Sequence, residues 1–427
     1  MWDRTVGALS YSHDTGLCAF EYDPAWVSGG IEISPIKLPL SDRIFQFPGL
    51  SRETYKGLPG AFADTLPDDF GNALIDAWLA RVGRDKHSFT ALERLLYTGT
   101  RGMGALEYTP PIDRNLESSE ALQLESLIET AQAVLNQRSQ LAAPIAPAAS
   151  AKQDNEALAA ILQVGTSAGG ARPKAVIGIN AERTEIRSGQ VELPAGFEHY
   201  LLKFDGIVEH SSGQETFGDP QGYGRMEYAY YLMAMDAGIN MSPCELLPDG
   251  ERAHFMTRRF DRRGNTKLHY QSLCAMDHAD YKMPGQYSYE QLFSLMRSLR
   301  LSKSQALEMF RRTVFNIAAR NHDDHTKNFG FVLNDEYLWE LAPAFDVAYS
   351  YKPGSKWVNS HQLSLNGKRD DFEREDLMVL AETFRKEALQ IIEEVVEVVS
   401  EWSSYAEKVD VPARLASEIQ EKLVLNI

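Results

Sequence analysis

The chain opens with short stretches in which apolar and polar residues alternate. Val6-Gly7-Ala8-Leu9-Ser10 and Cys18-Ala19-Phe20-Glu21-Tyr22 therefore predict a pair of strands. A turn-rich stretch leads to Leu66-Pro67-Asp68-Asp69-Phe70-Gly71, after which Asn72 to Arg81 has helical spacing. Residues 115 to 138 read as one amphipathic helix, with Leu122, Leu124, Ile128, Ala131 and Leu135 toward one side. From Ser139 to Ala151 the chain is mostly Ala, Pro, Ser and Gln, the composition of a linker. Apolar character resumes over Ala157 to Gln163, and Val164 to Gly170 is rich in Gly and Ser. Ala175-Val176-Ile177-Gly178-Ile179 and Tyr200-Leu201-Leu202-Lys203-Phe204 read as buried strands.

Past Phe204 the pattern turns mostly helical. Arg225 to Ala237 stops at Gly238, and Ser302 to Arg320 has a Ser cap with Ala306, Phe310, Val314 and Ile317 on one face. Residues 376 to 408 and 412 to 424 close the chain with two or three more helices. There is no internal repeat. A strand-rich part followed by a helix-rich part predicts an α+β fold with a cleft between the two. The expected division is an N-terminal α+β subdomain over 1–138, a linker over 139–156, a strand-containing lobe over 157–256 and a helical lobe over 257–427.

Composition narrows the function classes. A chain of 427 residues can hold two or three packed domains, and 44% hydrophobic with 24% charged residues is ordinary for a globular protein. The formal net charge of −17, from 43 Lys+Arg against 60 Asp+Glu, is repelled by phosphate backbones, so unaided nucleic-acid binding is not expected. Arg258-Arg259 and Arg262-Arg263 are local exceptions, which could meet an anion or pair with surplus carboxylates. Apolar runs such as Ala157 to Val164 are too short to span a bilayer, and the N-terminus lacks a basic region followed by an apolar one. Cys18, Cys244 and Cys274 are widely separated and suggest neither disulfides nor a zinc site. A cytoplasmic location and no membrane partner are the expectation.

The most informative run is Asn321-His322-Asp323-Asp324-His325-Thr326-Lys327-Asn328, which follows directly on an apolar helix. An Asp five residues before an Asn is the spacing of a protein-kinase catalytic loop. There the Asp accepts the substrate hydroxyl proton and the Asn oxygen ligates Mg²⁺, which gives Asp323 and Asn328 their expected roles. Lys327 can offset charge on the transferring γ-phosphoryl. Eighteen residues after Asn328, a hairpin signal ends at Pro343-Ala344-Phe345-Asp346. Asp346 and Asn328 are the hard oxygen ligands that Mg²⁺ takes beside nucleotide phosphates. Read alone, Asp346 is equally a turn or helix cap; the pairing favours metal.

Lys203 ends a buried strand and wants a partner, and Glu227 lies 24 residues on, near the start of the next helix. A strand Lys paired with a helix Glu is how kinases hold the α- and β-phosphates. Gly165-Thr166-Ser167-Ala168-Gly169-Gly170-Ala171 matches no phosphate-loop formula, but stands where a kinase places its glycine loop. Ser167, Ala168, Gly169, Gly170 and Ala171 are therefore candidate nucleotide contacts. His325 joins the cofactor-binding candidates, its plainer role being to position the loop.

The order of these segments resembles the HipA family of toxin kinases. The likeness lies in Gly170-Ala171-Arg172-Pro173-Lys174, Leu201-Leu202-Lys203, Phe260-Asp261-Arg262-Arg263 and Asp323-Asp324-His325-Thr326-Lys327-Asn328-Phe329. It extends to Pro343-Ala344-Phe345-Asp346, Leu363-Ser364-Leu365-Asn366-Gly367 and, near the N-terminus, Leu38-Pro39-Leu40-Ser41 and Phe62-Ala63-Asp64-Thr65-Leu66-Pro67-Asp68. The resemblance implies a protein-kinase-like two-lobed fold with an N-terminal subdomain. It also implies an ATP- and Mg²⁺-dependent serine/threonine kinase acting on a protein such as an aminoacyl-tRNA synthetase. The antitoxin implied is of HipB type, with a helix-turn-helix through which the complex would reach DNA. By the same carry-over, Ser167, or its neighbour Thr166, would be autophosphorylated, and adenine would lie near Arg258, Arg259 and Phe260. Two departures stand out: Arg258 replaces an acid, and Arg172-Pro173 replaces Gln-Glu, where Pro removes an N–H from the loop.

Two other readings were weighed. His322-Asp323-Asp324-His325 looks superficially like a metal-dependent phosphohydrolase cluster, but that chemistry needs further ligands, and His254, His278 and His361 lie in no comparable setting. A pseudokinase-like binding module would have no need of Asp323, Asn328, Asp346 and Lys203.

Overall fold

The computed structural model describes residues 1–67, 69–81, 83–112, 121–140, 165, 173–208, 218–219 and 221–427. Residues 166–172, which include Thr166, Ser167, Ala168, Gly169, Gly170 and Ala171, lie outside this set, as does most of the expected linker. The chain forms two compact units that cut across the linear division expected above. One comprises Met1–Trp2, Thr65–Gly224 and Pro243–Lys267; the other comprises Asp3–Asp64, Arg225–Ser242 and Leu268–Ile427.

The first unit is built on a six-stranded antiparallel sheet. Its spatial order is Ala121–Leu122, Ile186–Ser188, Lys174–Asn180, Phe197–Lys203, Arg252–Arg258 and Cys244–Asp249. Helices Asp69–Arg81, Ala91–Thr98 and Leu124–Gln140 belong to the same unit. Phe70, Leu74, Ile75, Leu79, Tyr97, Leu127 and Ile128 join one core with Ala175, Ile177, Ile179, Leu202 and Met256 from the strands. The helix expected from residue 115 begins at Leu124 instead, because Ala121 and Leu122 pair as an edge strand with Arg187 and Ile186. Leu122 still packs against the core, so a helical apolar spacing is satisfied from a strand.

The second unit joins the N-terminal hairpin, Gly7–Ser12 with Leu17–Tyr22, to the helical C-terminal part. Asp64 accepts hydrogen bonds from the Ser272 N–H and hydroxyl, both at 2.7 Å, and the Gly60 N–H donates to His278 Nε2 at 3.0 Å. The hairpin signal is observed as Gly330–Leu333 against Trp339–Leu341, with Tyr270–Ser272 on its other side. Gly330 is required there, since an added Cβ would strike the Tyr270 ring. The helix Lys303–Ala318 starts at Ser302, whose hydroxyl accepts from the Gln305 N–H while the Gln305 side chain accepts from the Ser302 N–H. Phe310, Val314, Phe315 and Ile317 on this helix are buried. Two helices of the unit, Tyr223–Asp236 and Lys303–Ala318, are tied by the Tyr230 hydroxyl donating to the Ala319 carbonyl at 2.7 Å.

Candidate active site

The helix Lys303–Ala318 ends abruptly, which is what presents the loop after it. Arg320 adopts the left-handed conformation at φ +55°, with the Asn321 N–H donating to Asn316 O at 2.9 Å and the Arg320 N–H to Ile317 O at 3.3 Å. This cap is normally glycine, because a side chain is strained there. Here the arginine is held by its own guanidinium, which donates to Lys422 O, pairs with Asp370 at 2.8 Å and lies over the Tyr351 ring.

The run Asn321 to Asn328 then divides inward and outward. Asp324 is 1% exposed and takes hydrogen bonds from the Tyr289 hydroxyl at 2.7 Å, His361 Nδ1 at 2.9 Å and the Gln362 N–H at 2.6 Å. Burial alone would raise its pKa, but the charge and hydrogen bond of His361, helped by Tyr289 and Gln362, bring it below the ordinary value. His322 is also buried, its ring stacked 4.1 Å from His361, and burial followed by the neighbouring His361 depresses its pKa to about 3. With Asp324 and His322 turned in, Asp323 and His325 are turned the other way.

Asp323 is held by its backbone rather than by its carboxylate. The Ser350 hydroxyl accepts from the Asp323 N–H at 2.9 Å and donates to Asn321 Oδ1 at 3.0 Å. Asn328 Nδ2 donates to the Asp323 carbonyl at 2.8 Å, locking the two ends of the loop together. That bond commits the amide nitrogen and leaves Asn328 Oδ1 as an available acceptor. His325 Nε2 stands 3.8 Å from the Asp323 carboxylate, and the Asn328 N–H donates to His325 O at 2.8 Å. Lys327 places its ammonium 5.0 Å from the centre of the Tyr281 ring.

Asp346 follows the hairpin in the left-handed region, φ +56°. For a non-glycine residue this costs about 1 kcal/mol or more and persists only where surroundings enforce it. The segment before it is fixed by the Ala344 N–H donating to Asn240 O at 2.8 Å and by Arg312 donating to Ala342 O at 3.0 Å. Asp346 and Asn328 line one pocket of about 370 Å³, together with Asp324, Asn321 and Phe345. Sequence spacing thus identified residues that the fold brings together: Asp323, Asn328 and Asp346, with Lys327 and His325 on the same loop. It missed Ser350, Tyr289 and His361, which hold the loop. The available signal was the pair Asp323-Asp324, because two successive acids on a tight loop cannot face the same way.

Lys203, Arg259 and Phe260 belong to the sheet unit, and Glu227 is buried on the helix Tyr223–Asp236. Lys203 lies directly opposite Lys174 on one side and Phe255 on the other. Its ammonium is 5.7 Å from the Phe255 ring centre. Leu202 faces the helix-packed core, so strand alternation turns Lys203 to the opposite face. Arg259 is differently employed. Its guanidinium grips Asp261 through two hydrogen bonds of 2.7 and 2.6 Å, while Arg262 adds a third at 2.7 Å and donates to Gly102 O. The Gly104 N–H completes the set around Asp261 at 2.8 Å. Burial would raise the Asp261 pKa, but Arg259 and Arg262 outweigh it and hold the carboxyl well below its usual range. The Arg259 N–H donates to His199 O at 2.9 Å.

Among the described residues no cluster of three or more His, Cys, Asp or Glu side chains converges as a metal site, and no helix is long and apolar enough to cross a membrane. The His322–His325 run does not form a phosphohydrolase cluster: Asp324 is consumed by three internal donors, and His322 stacks on His361 away from Asp323.

The fold and this loop define an α+β protein of protein-kinase-like type. A family described as the HipA-like C-terminal domain matches residues 166–402, and one described as the HipA N-terminal domain matches residues 1–109. The chain therefore belongs to the HipA family. Its fold is similar to that of HipA in the Shewanella oneidensis MR-1 complex of HipA, HipB and operator DNA. The TM-score is 0.66 at 17% identity, covering 98% of this chain and 93% of that one. A weaker likeness is to the Helicobacter pylori proinflammatory kinase CtkA, with a TM-score of 0.38 at 13% identity, covering 60% and 90%. No curated protein matches the sequence significantly.

Proposed function

We propose that this protein is an ATP- and Mg²⁺-dependent serine/threonine protein kinase, the toxin of a HipA-type toxin–antitoxin pair. The observation that carries the reading is the loop tied by Asn328 to the Asp323 carbonyl, with Asn328 and Asp346 lining the same pocket. The donor set suits Mg²⁺: a carboxylate and an amide oxygen, both hard, with room for phosphate oxygens and water. When bound, the ion would draw charge from the β/γ-phosphates.

Asp323 orients or deprotonates the acceptor hydroxyl, and Lys327 stabilises charge on the phosphoryl in transfer. Lys203, positioned by Glu227, neutralises the α- and β-phosphates. The loop from Ser167 to Ala171 covers them, and backbone groups near Arg259 and Phe260 take the adenine. Since the Arg259 guanidinium is spent on Asp261, its part in nucleotide binding is through the main chain. His325 positions the loop. Catalysis is then chiefly orientation and preorganised charge.

Family membership supports a cellular protein substrate, such as an aminoacyl-tRNA synthetase, and neutralisation by a helix-turn-helix antitoxin of HipB type, through which alone DNA would be reached. It also supports self-silencing by autophosphorylation of Ser167 or Thr166, since a dianionic phosphate there repels the nucleotide. The test is peptide mass spectrometry after incubation with Mg²⁺-ATP, wild type against Asp323→Asn. One phosphate on Ser167 or Thr166, absent in the variant, supports the reading. Absence of both phosphate gain and ATP binding in the wild type rejects it in favour of a binding module.

A further inference from the structure

The segment that follows Asp346 carries a feature the proposed chemistry does not use. Residues 351–359 form an exposed loop whose backbone is closely held. The Lys352 N–H donates to Val358 O at 3.1 Å, and the Gly354 N–H to Asn359 Oδ1 at 2.8 Å. The buried Ser355 hydroxyl accepts from the Trp357 and Val358 N–H groups at 3.2 and 3.3 Å, and Gln362 donates to Trp357 O. The result is a rigid loop that holds an indole in solvent: Trp357 is 37% exposed, with the Lys356 ammonium 4.8 Å from its ring centre. A large aromatic fixed in solvent on a preorganised loop is the type of group that anchors a partner.

The loop is continuous with the catalytic loop by both chain and charge. Ser350, one residue before it, holds the Asp323 N–H. From the other side, Lys327 and His325 contact the Tyr281 ring, and Lys282 beside Tyr281 pairs with Glu53 at 3.0 Å. Glu53 in turn feels the charges of Lys56 and Lys356. Nearby acids are already engaged: Asp277 pairs with Lys37 at 2.9 Å, and Asp280 accepts from the Thr54 hydroxyl. With the described residues, neither Lys352 nor Lys356 forms an ion pair, and Met283 adds an exposed apolar side chain at 45%. In a chain of net charge −17, this is a local strip of positive and aromatic groups beside the phosphotransfer loop.

We infer that Lys352, Lys356 and Trp357 form the docking surface for the acceptor segment of a protein substrate, and that this segment carries acidic residues and an apolar or aromatic residue beside its Ser or Thr. The inference rests on the kinase reading and gives its substrate class. A peptide fits better than a nucleic acid, because Glu53, Asp277 and Asp280 border the strip and a phosphate chain would have to pass them. Complementary charge steers the acidic segment, and the indole supplies the apolar anchor.

The test uses the full chain with Mg²⁺-ATP and synthetic peptides of one length, each with a single serine beside a phenylalanine and flanked by aspartates, alanines or lysines. Wild type is expected to phosphorylate the aspartate series with kcat/KM about tenfold or more above the lysine series. Lys352→Glu with Lys356→Glu should reverse that order, and Trp357→Ala should raise the peptide KM about fivefold with the ATP KM unchanged. Equal use of all three series, or variants that behave as wild type, overturns the docking surface while the kinase reading stands. So does phosphate on Ser167 or Thr166 with no peptide modified. Competition by a single-stranded RNA oligonucleotide that the double variant abolishes would reassign the strip to nucleic acid. If the wild type neither binds ATP nor gains phosphate, the kinase reading fails and this inference falls with it.

Discussion

Two charged runs look alike as strings, Arg258-Arg259-Phe260-Asp261-Arg262-Arg263 in the sheet unit and Asn321 to Asn328 in the helical unit. Structurally they are opposites. In the first, Arg259, Asp261 and Arg262 are all buried and satisfy one another, joining the end of a strand to the Gly102–Gly104 turn. In the second, only alternate residues are buried: Asp324 and His322 are consumed inside, and Asp323 is left with its carboxylate outward. A closed ion cluster fixes a turn and has no valence left for a ligand. A half-closed one fixes a loop and keeps a reactive group available.

The sharpest way to break this contrast is to neutralise one acid in each run. Asp323→Asn should lower phosphotransfer by about a thousandfold or more while the unfolding midpoint is unchanged. Substantial residual phosphate transfer in the mass-spectrometric assay would remove Asp323 from its assigned role. Asp261→Ala should do the reverse, costing about 3–5 kcal/mol in denaturant titration, because two buried guanidinium groups lose their counter-charge. A variant that is stable but inactive would instead place the arginine cluster in the chemistry.

Acid probes both units at once. His199, beside the arginine cluster, is buried with its pKa pushed down to about 4, first by desolvation and then by Arg259 and Arg262. His269 and His278 in the other unit are likewise lowered to about 4, chiefly by burial. The unfolded chain binds these protons near pH 6.5 and the folded one does not until about pH 4, so their stability is present above 6.5 and lost on acidification between those values. Urea midpoints measured from pH 7 to 4.5 should fall steadily, each histidine contributing roughly 2 kcal/mol. A flat profile would mean the three rings are protonated in the fold. Asp261, held well below the usual carboxylate range, should stay ionised throughout.

The smallest expected effect comes from Ser350→Ala, which removes the acceptor of the Asp323 N–H and the donor to Asn321. It should cost about 1 kcal/mol in stability and reduce kcat more than the ATP KM. Equal changes in both would show that Ser350 supports the unit rather than the aim of the loop.

Much was legible in the sequence because local chemistry dictated it. Paired alternating runs gave the first hairpin, Ser302 and Gln305 capped the helix before the catalytic loop, and Asn334-Asp335-Glu336 turned the hairpin before Asp346. The five-residue interval from Asp323 to Asn328 survives as a hydrogen bond across the loop. These features involve neighbours in the chain, and spacing alone constrains them. Four others were decided by residues far apart in sequence. Residues 3–64 joined the helical unit while 65 onward joined the sheet, and Leu122 became an edge strand because Ile186 was there to pair with. Arg259 was withdrawn from any ligand by Asp261 and the turn at Gly104. Asp324 was taken inward by Tyr289 and His361, 35 and 37 residues away. A sequence records which groups can bond, but burial sets which of two adjacent acids is neutralised and which remains exposed, and burial is fixed only when distant segments close over the loop.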